Sequence, residues 1–388
     1  MHTIIVGAGI AGLWLAEQFA LRGDKVTVLE KANYLGGRIV TSDRGFEIGA
    51  GRIATHHIHT MGLIQRFGLK TFPISKEQLW APVGFPAEPN TFDPTWSGFL
   101  TTFAKLNSHT LATNTLQQIA KQVLGPMHTR ELLIQFGYRA ETEVLRADLG
   151  LRAFQEEMSQ KSAFVVVAGG LSQIIQGLAT AARKAGATIL LNTPVHDVNG
   201  KYIVHSSKGP MQCDRVILAL PSEALKMLPC TRNLPVLKYI RMEPLTRIYA
   251  IVDRPWVQKR MVTNSPLRYI IPIRDTLVMI SYTESQDTEA FRGLKGPALR
   301  KALQKEVNRL IPNAPKITWA HAYEWTHGCS YWLPGLYNPE EESRKALCPK
   351  PRLHLCNESF SLRQAWVEGA MEHASHLLSE TSSEYRSV

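Results

Sequence analysis

The chain has 388 residues, of which 44% are hydrophobic and 20% are charged, and its formal net charge is +11. This composition predicts a globular protein with a sizeable core and excludes a disordered or collagen-like chain. No apolar run approaches the roughly 20 residues of a membrane span, and lysines and arginines are spread along the chain without a basic tract. We therefore expect neither a membrane nor a nucleic acid as partner.

The cysteines are odd in number and scattered, without a C-x-x-C pair; they are Cys213, Cys230, Cys329, Cys348 and Cys356. This pattern indicates reduced thiols rather than a disulfide framework or a zinc site. The first predicted strand starts at residue 3, which leaves no room for a signal peptide. We therefore expect a cytoplasmic protein.

The first predicted element is a strand at residues 3–6, a short run rich in β-branched side chains. Gly7, Gly9 and Gly12 follow it in the pattern G-x-G-x-x-G and open an apolar helical stretch. In such a turn the first glycine permits a tight bend, the second lets backbone approach a pyrophosphate, and the third lets the helix pack closely on the strand. The N–H groups of the helix start then face the phosphates.

A second predicted strand, residues 25–29, ends at Glu30, eighteen residues after Gly12. A carboxylate at this place accepts hydrogen bonds from the ribose of an adenosine. G-x-G-x-x-G alone also occurs in ordinary glycine-rich turns, but here strand, glycines, helix, strand and acid follow in order. We therefore predict a Rossmann-type unit that binds a dinucleotide.

Beyond residue 74 a helix-rich, irregular region is followed by a return to the strand and helix pattern of the first residues. Residues 75–158 are helix-rich and irregular, whereas residues 163–198 return to strand, glycine turn, helix and strand. The further predicted elements are strands at 216–220 and within 245–253, 268–273 and 277–282, a helix near 295–310, and a short strand and a helix near the C-terminal end.

This alternation predicts two interleaved domains of an α/β protein. A Rossmann-type nucleotide-binding domain is predicted at residues 1–74, 159–232 and 347–388. An α+β substrate-binding domain is predicted at residues 75–158 and 233–346. We expect the second to be inserted twice into the first.

The segment after Glu30 carries a second motif. Gly36, Gly37 and Arg38 are followed by a turn at residues 47–52. With this motif the chain resembles the flavin-dependent amine oxidases, which include monoamine oxidases, polyamine oxidases and L-amino-acid oxidases. Paired glycines let the backbone pass close to a pyrophosphate, and an arginine neutralises its charge. The resemblance implies a GR2-type flavoprotein with FAD as the cofactor.

Three further segments agree with this resemblance. Residues 168–179 resemble the family's glycine-glycine helix start, and Val195 would offer backbone hydrogen bonds to the adenine. In the closing segment, Glu358 would meet the ribityl chain or the pyrophosphate, and the backbone at Val367 would face the flavin pyrimidine. The predicted cofactor-binding residues are Gly7, Gly9, Ile10, Ala11, Gly12, Glu30, Lys31, Gly37, Arg38, Gly51, Arg52, Ile53, Val195, Glu358, Trp366 and Val367.

The resemblance also implies three catalytic residues. Arg247 aligns with the family's lysine, which holds a water at the flavin N5 atom. Since arginine is neither a base nor a compact ammonium, we expect slow reoxidation by oxygen; the alternative is that Arg247 only pairs with an acid or a phosphate. Trp366 aligns with one of the two aromatic residues that flank the flavin in monoamine oxidases. Ser330 aligns with the other, and Tyr331 or Trp332 could take its place; we predict Tyr331.

Three further features of the sequence differ from the family pattern or lie outside it. Cys329 aligns with the cysteine that binds the flavin covalently in monoamine oxidases, but most relatives bind FAD without this bond, so we expect a non-covalent cofactor. Asn357 stands where the family usually has a glycine. The histidines within residues 55–59 have no accompanying carboxylate or cysteine in sequence and predict a solvated loop or a helix start, with no metal.

These observations predict an FAD-dependent oxidoreductase that oxidises the C–N bond of an amine or amino acid by hydride transfer to flavin N5. Its expected partners are a small-molecule substrate (an amine, an amino acid or a related reduced compound) and molecular oxygen. Two alternatives stay open. One is renalase-like oxidation of dihydronicotinamides, or desaturation of a C–C bond, on the same fold. The other is a non-catalytic FAD-binding scaffold or redox sensor.

Overall fold

A computed structural model describes residues 1–158 and 163–381. The strands are β1 (His2–Val6), β2 (Lys25–Leu29), β3 (Ile53–Ala54), β4 (Thr71–Pro73), β5 (Gln78–Trp80), β6 (Glu88–Pro89), β7 (Phe164–Val167), β8 (Thr188–Leu190), β9 (Val195–Val198), β10 (Ile203–Ser206), β11 (Gly209–Gln212), β12 (Arg215–Leu218), β13 (Ile240–Val252), β14 (Arg260–Val262), β15 (Tyr269–Arg274), β16 (Leu277–Glu284), β17 (Ile317–Trp332) and β18 (Leu353–Leu355).

The helices are α1 (Ile10–Leu21), α2 (Ile58–Arg66), α3 (Phe92–Phe103), α4 (Ser108–Thr113), α5 (Leu116–Leu124), α6 (Pro126–Leu133), α7 (Ala140–Glu143), α8 (Ala147–Glu156), α9 (Ser172–Lys184), α10 (Ser222–Met227), α11 (Gly296–Leu310), α12 (Pro339–Leu347) and α13 (Val367–Glu380). Three short 3-10 helices lie at Pro235–Tyr239, Ser285–Phe291 and Glu358–Phe360.

The chain divides into two units, each made of separated segments. The first unit comprises residues 1–74, 163–242 and 337–388, and the second comprises residues 75–162 and 243–336.

Among the described residues, the predicted domain boundaries differ from this division in two places. Residues 159–162, which the sequence assigns to the first domain, lie outside the described residues. The sequence assigned residues 233–242 and 337–346 to the second domain, but both segments pack with the first unit. The 3-10 helix Pro235–Tyr239 contacts α10 and α12, and α12 packs against β18 and α13. These tertiary contacts leave no local pattern in the sequence, so the sequence does not predict these two boundaries.

The first unit is built around a five-stranded sheet in the order β18-β12-β1-β2-β8, with every neighbouring pair parallel. Its central strands are apolar because helices cover the sheet and little of it meets water; Ile4, Ile5 and Val28 are fully buried. Helix α1 packs against both α9 and α13. This is the predicted α/β arrangement with a Rossmann-type dinucleotide-binding fold.

Two small antiparallel sheets complete the first unit. One has the order β11-β10-β9 and the other the order β3-β7-β4. The predicted strand before the glycine turn is β7, which pairs antiparallel with β3 and β4 rather than entering the parallel sheet. Its partners lie about 100 residues upstream in the sequence, a distance over which strand pairing cannot be read from periodicity.

The second unit contains a seven-stranded sheet in the order β17-β13-β16-β15-β14-β5-β6. Neighbours are antiparallel at β13–β16, β16–β15 and β15–β14, while β14 and β5 run parallel. Helix α11 packs on β17 and buries Leu299, Leu303 and Val307. The sheet strands predicted within 245–253, 268–273 and 277–282 and the helix near 295–310 are all present.

The helix-rich segment predicted at residues 75–158 contains α3 to α8 and the two short strands β5 and β6. Aromatic rings form much of its core. Phe92 stacks on Trp96 with ring centroids 5.7 Å apart, and Phe136 stacks on Phe92 at 4.9 Å. Within the described ranges, no helix is both long enough and apolar enough to span a membrane. The cytoplasmic location stays a prediction.

Candidate functional site

The glycine motif after β1 forms a tight junction between strand and helix. Gly7 has φ +104°, and a Cβ atom there would lie 2.5 Å from the carbonyl oxygen of Ala219. A Cβ atom on Gly12 would lie 2.1 Å from the carbonyl oxygen of Gly7. Since side chains cannot approach backbone this closely, both positions need glycine for packing, and α1 starts directly at the end of β1.

Gly9, between these two, faces open space. A Cβ atom on Gly9 would meet only the Gly36 carbonyl oxygen within 4.0 Å, and a Cβ atom on Gly37 would lie 3.7 Å from the Cα atom of Gly9. The predicted residues Ile10 and Ala11 form the first turn of α1, whose N–H groups have no partner within the helix. Two glycine segments thus flank a helix start and leave a cradle that fits an anion such as a pyrophosphate.

Glu30 ends β2 as predicted and is buried. Its carboxylate accepts hydrogen bonds from the N–H groups of Ala8 and Ala32, both at 2.8 Å. These bonds fix its position and leave each oxygen a further lone pair for a hydroxyl group. The N–H of Thr193 donates to the Glu30 carbonyl oxygen at 2.8 Å, which brings the segment leading to Val195 to the same end of the sheet. These groups fit a ribose and an adjoining base.

Arg38 and Glu358 were predicted separately and are joined in the structure. The Arg38 guanidinium donates to the Glu358 carboxylate at 2.7 Å. The other oxygen of Glu358, which is buried, accepts the N–H of Ala365 at 2.8 Å. Asn357, at the glycine position of the family, accepts the N–H of Ser359 through its side chain at 2.6 Å. The closing segment is therefore tied to the glycine–arginine motif near the start of the chain.

Trp366 lies in a cluster of rings and one cation in the first unit. Its ring stacks on Phe164 with centroids 5.7 Å apart and an interplanar angle of 6°. The guanidinium of Arg52 lies 5.2 Å from the Trp366 ring and 5.0 Å from the Phe164 ring. His57 contacts the edge of Trp366 at 5.3 Å. The rings of Trp366 and Phe164 are only partly buried, so this cluster can present an aromatic surface to a ligand.

His57 is the N-cap residue of α2, in agreement with a predicted helix start, but it is buried rather than solvated. Burial lowers its pKa to about 4, although the nearby Glu368 carboxylate acts in the opposite direction. The imidazole is therefore neutral at neutral pH. Among the remaining predicted cofactor residues, Lys31 is exposed, Gly51 is half-buried, and Ile53 is buried in β3.

Arg247 lies in the second unit on β13, with 8% of its surface exposed. Its guanidinium stacks 4.8 Å from the ring centroid of Tyr282 and hydrogen-bonds the hydroxyl groups of Tyr282 and Tyr249. Burial lowers the pKa of Arg247, but the two tyrosine hydroxyl groups together raise it by more. The pKa of Arg247 therefore lies above its ordinary value. Arg247 thus supplies a permanent positive charge within a tyrosine cluster.

Tyr331 is fully enclosed in the second unit, with 2% of its surface exposed. Its hydroxyl group donates to Glu141 at 3.4 Å. Burial and the neighbouring Glu141 raise the pKa of Glu284 to about 8. The N–H groups of Ala140 and Arg139, which donate hydrogen bonds to the Glu284 carboxylate, lower this pKa but by less. Glu284 is therefore largely protonated at neutral pH.

The structure gathers the predicted residues into two groups. All predicted cofactor-binding residues, with Trp366, belong to the first unit, whereas Arg247 and Tyr331 belong to the second. Sequence reasoning missed Phe164, His57 and Glu284. Phe164 and His57 become noticeable only through their ring contacts, and Glu284 only through its burial at the end of a strand.

Two curated proteins align along most of the chain. The flavin-dependent L-tryptophan oxidase RebO of Lentzea aerocolonigenes is 22% identical, and the alignment covers 95% of each protein. The L-amino-acid oxidase of Mus musculus is 25% identical over 95% of this chain and 69% of the mouse protein.

Solved structures of amine oxidases share the fold. Putrescine oxidase with bound putrescine superposes with a TM-score of 0.79 at 18% identity, covering 99% of each chain. Cyclohexylamine oxidase from Brevibacterium oxydans superposes with a TM-score of 0.78 at 17% identity, covering 98% of this chain and 99% of that chain.

The family described as flavin containing amine oxidoreductase matches residues 10–376. This range includes the helix start at the cradle, the Arg38–Glu358 pair and the Trp366 cluster. The predicted resemblance and the FAD cofactor are confirmed, and the chain is an FAD-dependent oxidoreductase. It belongs to the flavin containing amine oxidoreductase family.

Proposed function

We propose that the chain is an oxidase of L-amino acids with an apolar or aromatic side chain, using oxygen as the oxidant. The sequence relatives that align with most of the chain support an amino acid rather than a simple amine, since both are amino-acid oxidases. When bound, FAD would supply the redox chemistry: the amino acid would lose a hydride from the carbon that carries nitrogen and a proton from the nitrogen, giving an imine, and the two electrons and two protons would reduce oxygen to hydrogen peroxide.

The observation that carries this proposal is Arg52 beside two aromatic rings. An amino acid differs from an amine by a carboxylate, and a planar guanidinium is the side chain best suited to hold a carboxylate. Arg52 lies against Trp366 and Phe164, which would enclose an apolar side chain at the same place. A cation and two ring faces together suit an amino acid with an apolar or aromatic side chain.

The first unit supplies the cofactor contacts in this proposal. The N–H groups at the start of α1 and the Arg38 guanidinium would hold the pyrophosphate, and Glu30 would hold the adenosine ribose. Glu358 orients Arg38 through its ion pair. The N-terminal end of α13, at Val367, would stabilise negative charge on the flavin through its N–H groups.

The second unit supplies two residues whose roles stay predictions. Arg247 provides a fixed positive charge that its tyrosine neighbours hold in one orientation. Tyr331 is too enclosed to offer more than a small part of its ring to a ligand. We propose that Arg247 acts on the reactivity toward oxygen, and that Tyr331 acts through its hydrogen bond to Glu141.

The test compares each amino acid with the amine left after its carboxylate is removed, such as L-tryptophan with tryptamine. The holoenzyme is mixed with each compound, and loss of flavin absorption and hydrogen peroxide release are followed. Arg52→Gln should raise the KM for L-tryptophan by about 10- to 100-fold, the equivalent of one charge-assisted hydrogen bond, and leave tryptamine nearly unchanged. Arg22→Gln, a surface arginine of the same unit, is the control.

Four results would contradict the proposal. If wild type oxidises tryptamine as efficiently as L-tryptophan, or Arg52→Gln affects both equally, the carboxylate plays no part. If only reduced nicotinamides bleach the flavin, the substrates are dihydronicotinamides, as in the renalase-like alternative. A protein that contains FAD but reacts with none of these compounds would favour a non-catalytic scaffold.

A further inference from the structure

The helices α2 and α13 are joined where they begin. Glu368, in the first turn of α13, is 1% exposed. Its carboxylate accepts the N–H of His59 at 2.8 Å, the N–H of Thr60 at 2.8 Å and the Thr60 hydroxyl at 2.7 Å. The first N–H groups of a helix have no partner inside the helix, and the side chain of His57, at the N-cap of α2, makes no capping hydrogen bond. Glu368 therefore caps α2 from 308 positions away along the chain.

The residues that precede the two helices also meet. His57 precedes α2, Trp366 precedes α13, and their rings make an edge contact at 5.3 Å with an interplanar angle of 78°. On the Trp366 ring, Phe164 and Arg52 are the further neighbours already described. The Trp366 ring therefore contacts the residue that precedes α2, and Glu368 binds the first N–H groups of the same helix.

The backbone before Trp366 holds a conformation that needs restraint. Ala365 has φ +65°, a left-handed conformation that is unfavourable for a residue with a Cβ atom. Its N–H is held by Glu358 at 2.8 Å. The segment 358–368 is therefore fixed at one end by Glu358 and at the other by Glu368, with Trp366 and Val367 between these two carboxylates.

We propose that Glu368 is a positioning residue, whose carboxylate fixes the start of α2 and so holds His57 against Trp366, giving the indole and the Val367 amide one orientation for catalysis. The inference rests on the proposed function, since that assigns Trp366 and Val367 to the cofactor and substrate. Because His57 is neutral at neutral pH, the charge of Glu368 is directed to the N–H groups of α2 rather than to an imidazolium.

A matched control exists at the other end of the same helix. Arg66, the last residue of α2, donates to the Glu17 carboxylate of α1 at 2.7 Å, and Glu17 is also buried. Glu368→Gln and Glu17→Gln each remove one buried carboxylate that binds α2. Of these two carboxylates, only Glu368 lies next to the Trp366 cluster. If α2 is merely loosened, the Trp366 resonance and kcat should change in both variants. If Glu368 positions Trp366, they should change only in Glu368→Gln.

The measurement is fluorine NMR of protein labelled with 5-fluorotryptophan, with and without FAD. The chain has 8 tryptophans, and Trp366→Phe identifies the resonance of Trp366. We expect Glu368→Gln to shift or broaden this resonance and to lower kcat for the amino-acid substrate about tenfold. Glu17→Gln should lose as much thermal stability as Glu368→Gln, but it should leave the Trp366 resonance and kcat unchanged. Thr60→Val, which removes only the hydroxyl donor, should shift the resonance in the same direction by less.

The proposal is overturned if the Trp366 resonance is unmoved in Glu368→Gln, or moves equally in Glu17→Gln. If Glu368→Gln does not fold, Thr60→Val decides in the same way. The NMR measurement needs no substrate. A wild-type enzyme that oxidises no amino acid would therefore contradict the proposed function, while the resonance would still decide the role of Glu368.

Discussion

At the scale of single residues, Gly9 and Gly12 belong to one motif but respond differently to a side chain. A Cβ atom on Gly12 collides with the Gly7 backbone, whereas a Cβ atom on Gly9 points into the open cradle. Packing therefore requires glycine at position 12, whereas at position 9 only the predicted approach of a pyrophosphate would require it. The structure separates two requirements that the sequence motif combines.

We predict that Gly9→Val gives a folded but colourless protein, because the new side chain would occupy the place of the pyrophosphate while its Cβ atom meets only the Gly36 carbonyl oxygen, at 4.0 Å. Gly12→Val should fail to fold, since the backbone would have to move. Visible absorption of the purified protein and thermal melting of the apoprotein distinguish the two. A yellow Gly9→Val protein would show that the phosphates bind elsewhere.

Arg247 carries a prediction about reactivity toward oxygen. If it acts where relatives have lysine, the wild-type enzyme should react normally with substrate but slowly with oxygen, because a guanidinium cannot hold a water as an ammonium does. Arg247→Lys should accelerate the step with oxygen severalfold and leave the step with substrate nearly unchanged. Stopped-flow measurement of the two half-reactions is the test.

Arg268→Lys is the control for this substitution, because Arg268 is also buried in the second unit and binds Asp287 at 3.1 Å. Fast reaction of the wild-type enzyme with oxygen would contradict the prediction, and so would a slower reaction in Arg247→Lys. Either result would mean that Arg247 serves only the tyrosine cluster around it.

At the scale of elements, a buried ion pair joins β12 to the turn before β2. Arg215 is fully buried, its guanidinium lies 3.1 Å from the Asp24 carboxylate, and it stacks 4.7 Å from the Phe19 ring. Thr3 also donates its hydroxyl to Asp24 at 2.7 Å. These residues connect β1, β2, β12 and α1 at the end of the sheet away from the cradle.

We predict that Arg215→Leu lowers the free energy of unfolding by about 3–5 kcal/mol, because it breaks a buried ion pair by removing the guanidinium alone. The buried Asp24 carboxylate keeps the Thr3 hydroxyl and the Met1 ammonium, which lies 3.6 Å away. Urea denaturation measures the loss. The matched control is Lys226→Ala, which removes a partly exposed pair with Glu223 and should cost less than about 1 kcal/mol. FAD affinity of the folded variant should not change; a weaker affinity would mean that the pair also shapes the cradle.

Local physics explains which elements and contacts could be predicted. The turn at Gly7 to Gly12 and the acid at Glu30 follow from neighbouring residues, and so do strands such as Lys25–Leu29. In contrast, Arg38 and Glu358 pair across 320 positions, and Glu368 caps a helix across 308. Such contacts exist only after the chain has folded, so no pattern in the sequence encodes them as pairs.

The candidate site follows the same rule. The structure brings the motif residues Gly9, Gly37 and Glu30 to one end of the sheet, and their role in binding the cofactor stays a prediction. The ring cluster around Trp366 was not predicted. Phe164 reads as one apolar residue of a strand, and His57 as one of several histidines in a polar stretch. Their contact with Trp366 arises from the pairing of β7 with β3 and from the capping of α2 by Glu368.

At the scale of the whole molecule, burial shifts pKa values in opposite directions in the two units: it lowers those of histidines in the first unit and raises those of carboxyl groups in the second. In the first unit, burial lowers the pKa of His57 and of His373 to about 4. In the second, burial and Glu141 raise the pKa of Glu284 to about 8, and burial also raises the pKa of Asp93. Between about pH 4 and pH 6.5, these two histidines therefore bind fewer protons in the folded chain than in the unfolded chain, whereas Glu284 binds more.

We predict that acidification affects the two units in opposite directions. Between pH 6.5 and 4 each buried histidine lowers the stability of the first unit by about 1.4 kcal/mol per pH unit, because only the unfolded chain takes up the proton. Between pH 4.5 and 8 Glu284 stabilises the second unit increasingly as the pH falls.

Hydrogen exchange followed peptide by peptide, corrected for intrinsic rates, measures this at pH 5 and pH 7.5. Protection should fall in the first unit and rise in the second on going to pH 5. His373→Leu should weaken the acid sensitivity of the first unit, and Glu284→Gln should flatten the response of the second. A uniform change across the chain would contradict the prediction.

The interleaving of the units determines the order in which they are completed during translation. The ribosome makes all of residues 75–336 before it reaches 337–388, which carry α12, β18 and α13. The unit whose first strand is synthesised earliest is thus finished last. Until then the nascent chain exposes the β12 edge that β18 covers and the α1 surface that α13 covers. Ribosome-associated chaperones should bind these two surfaces, and a premature stop codon in this final stretch would leave them uncovered.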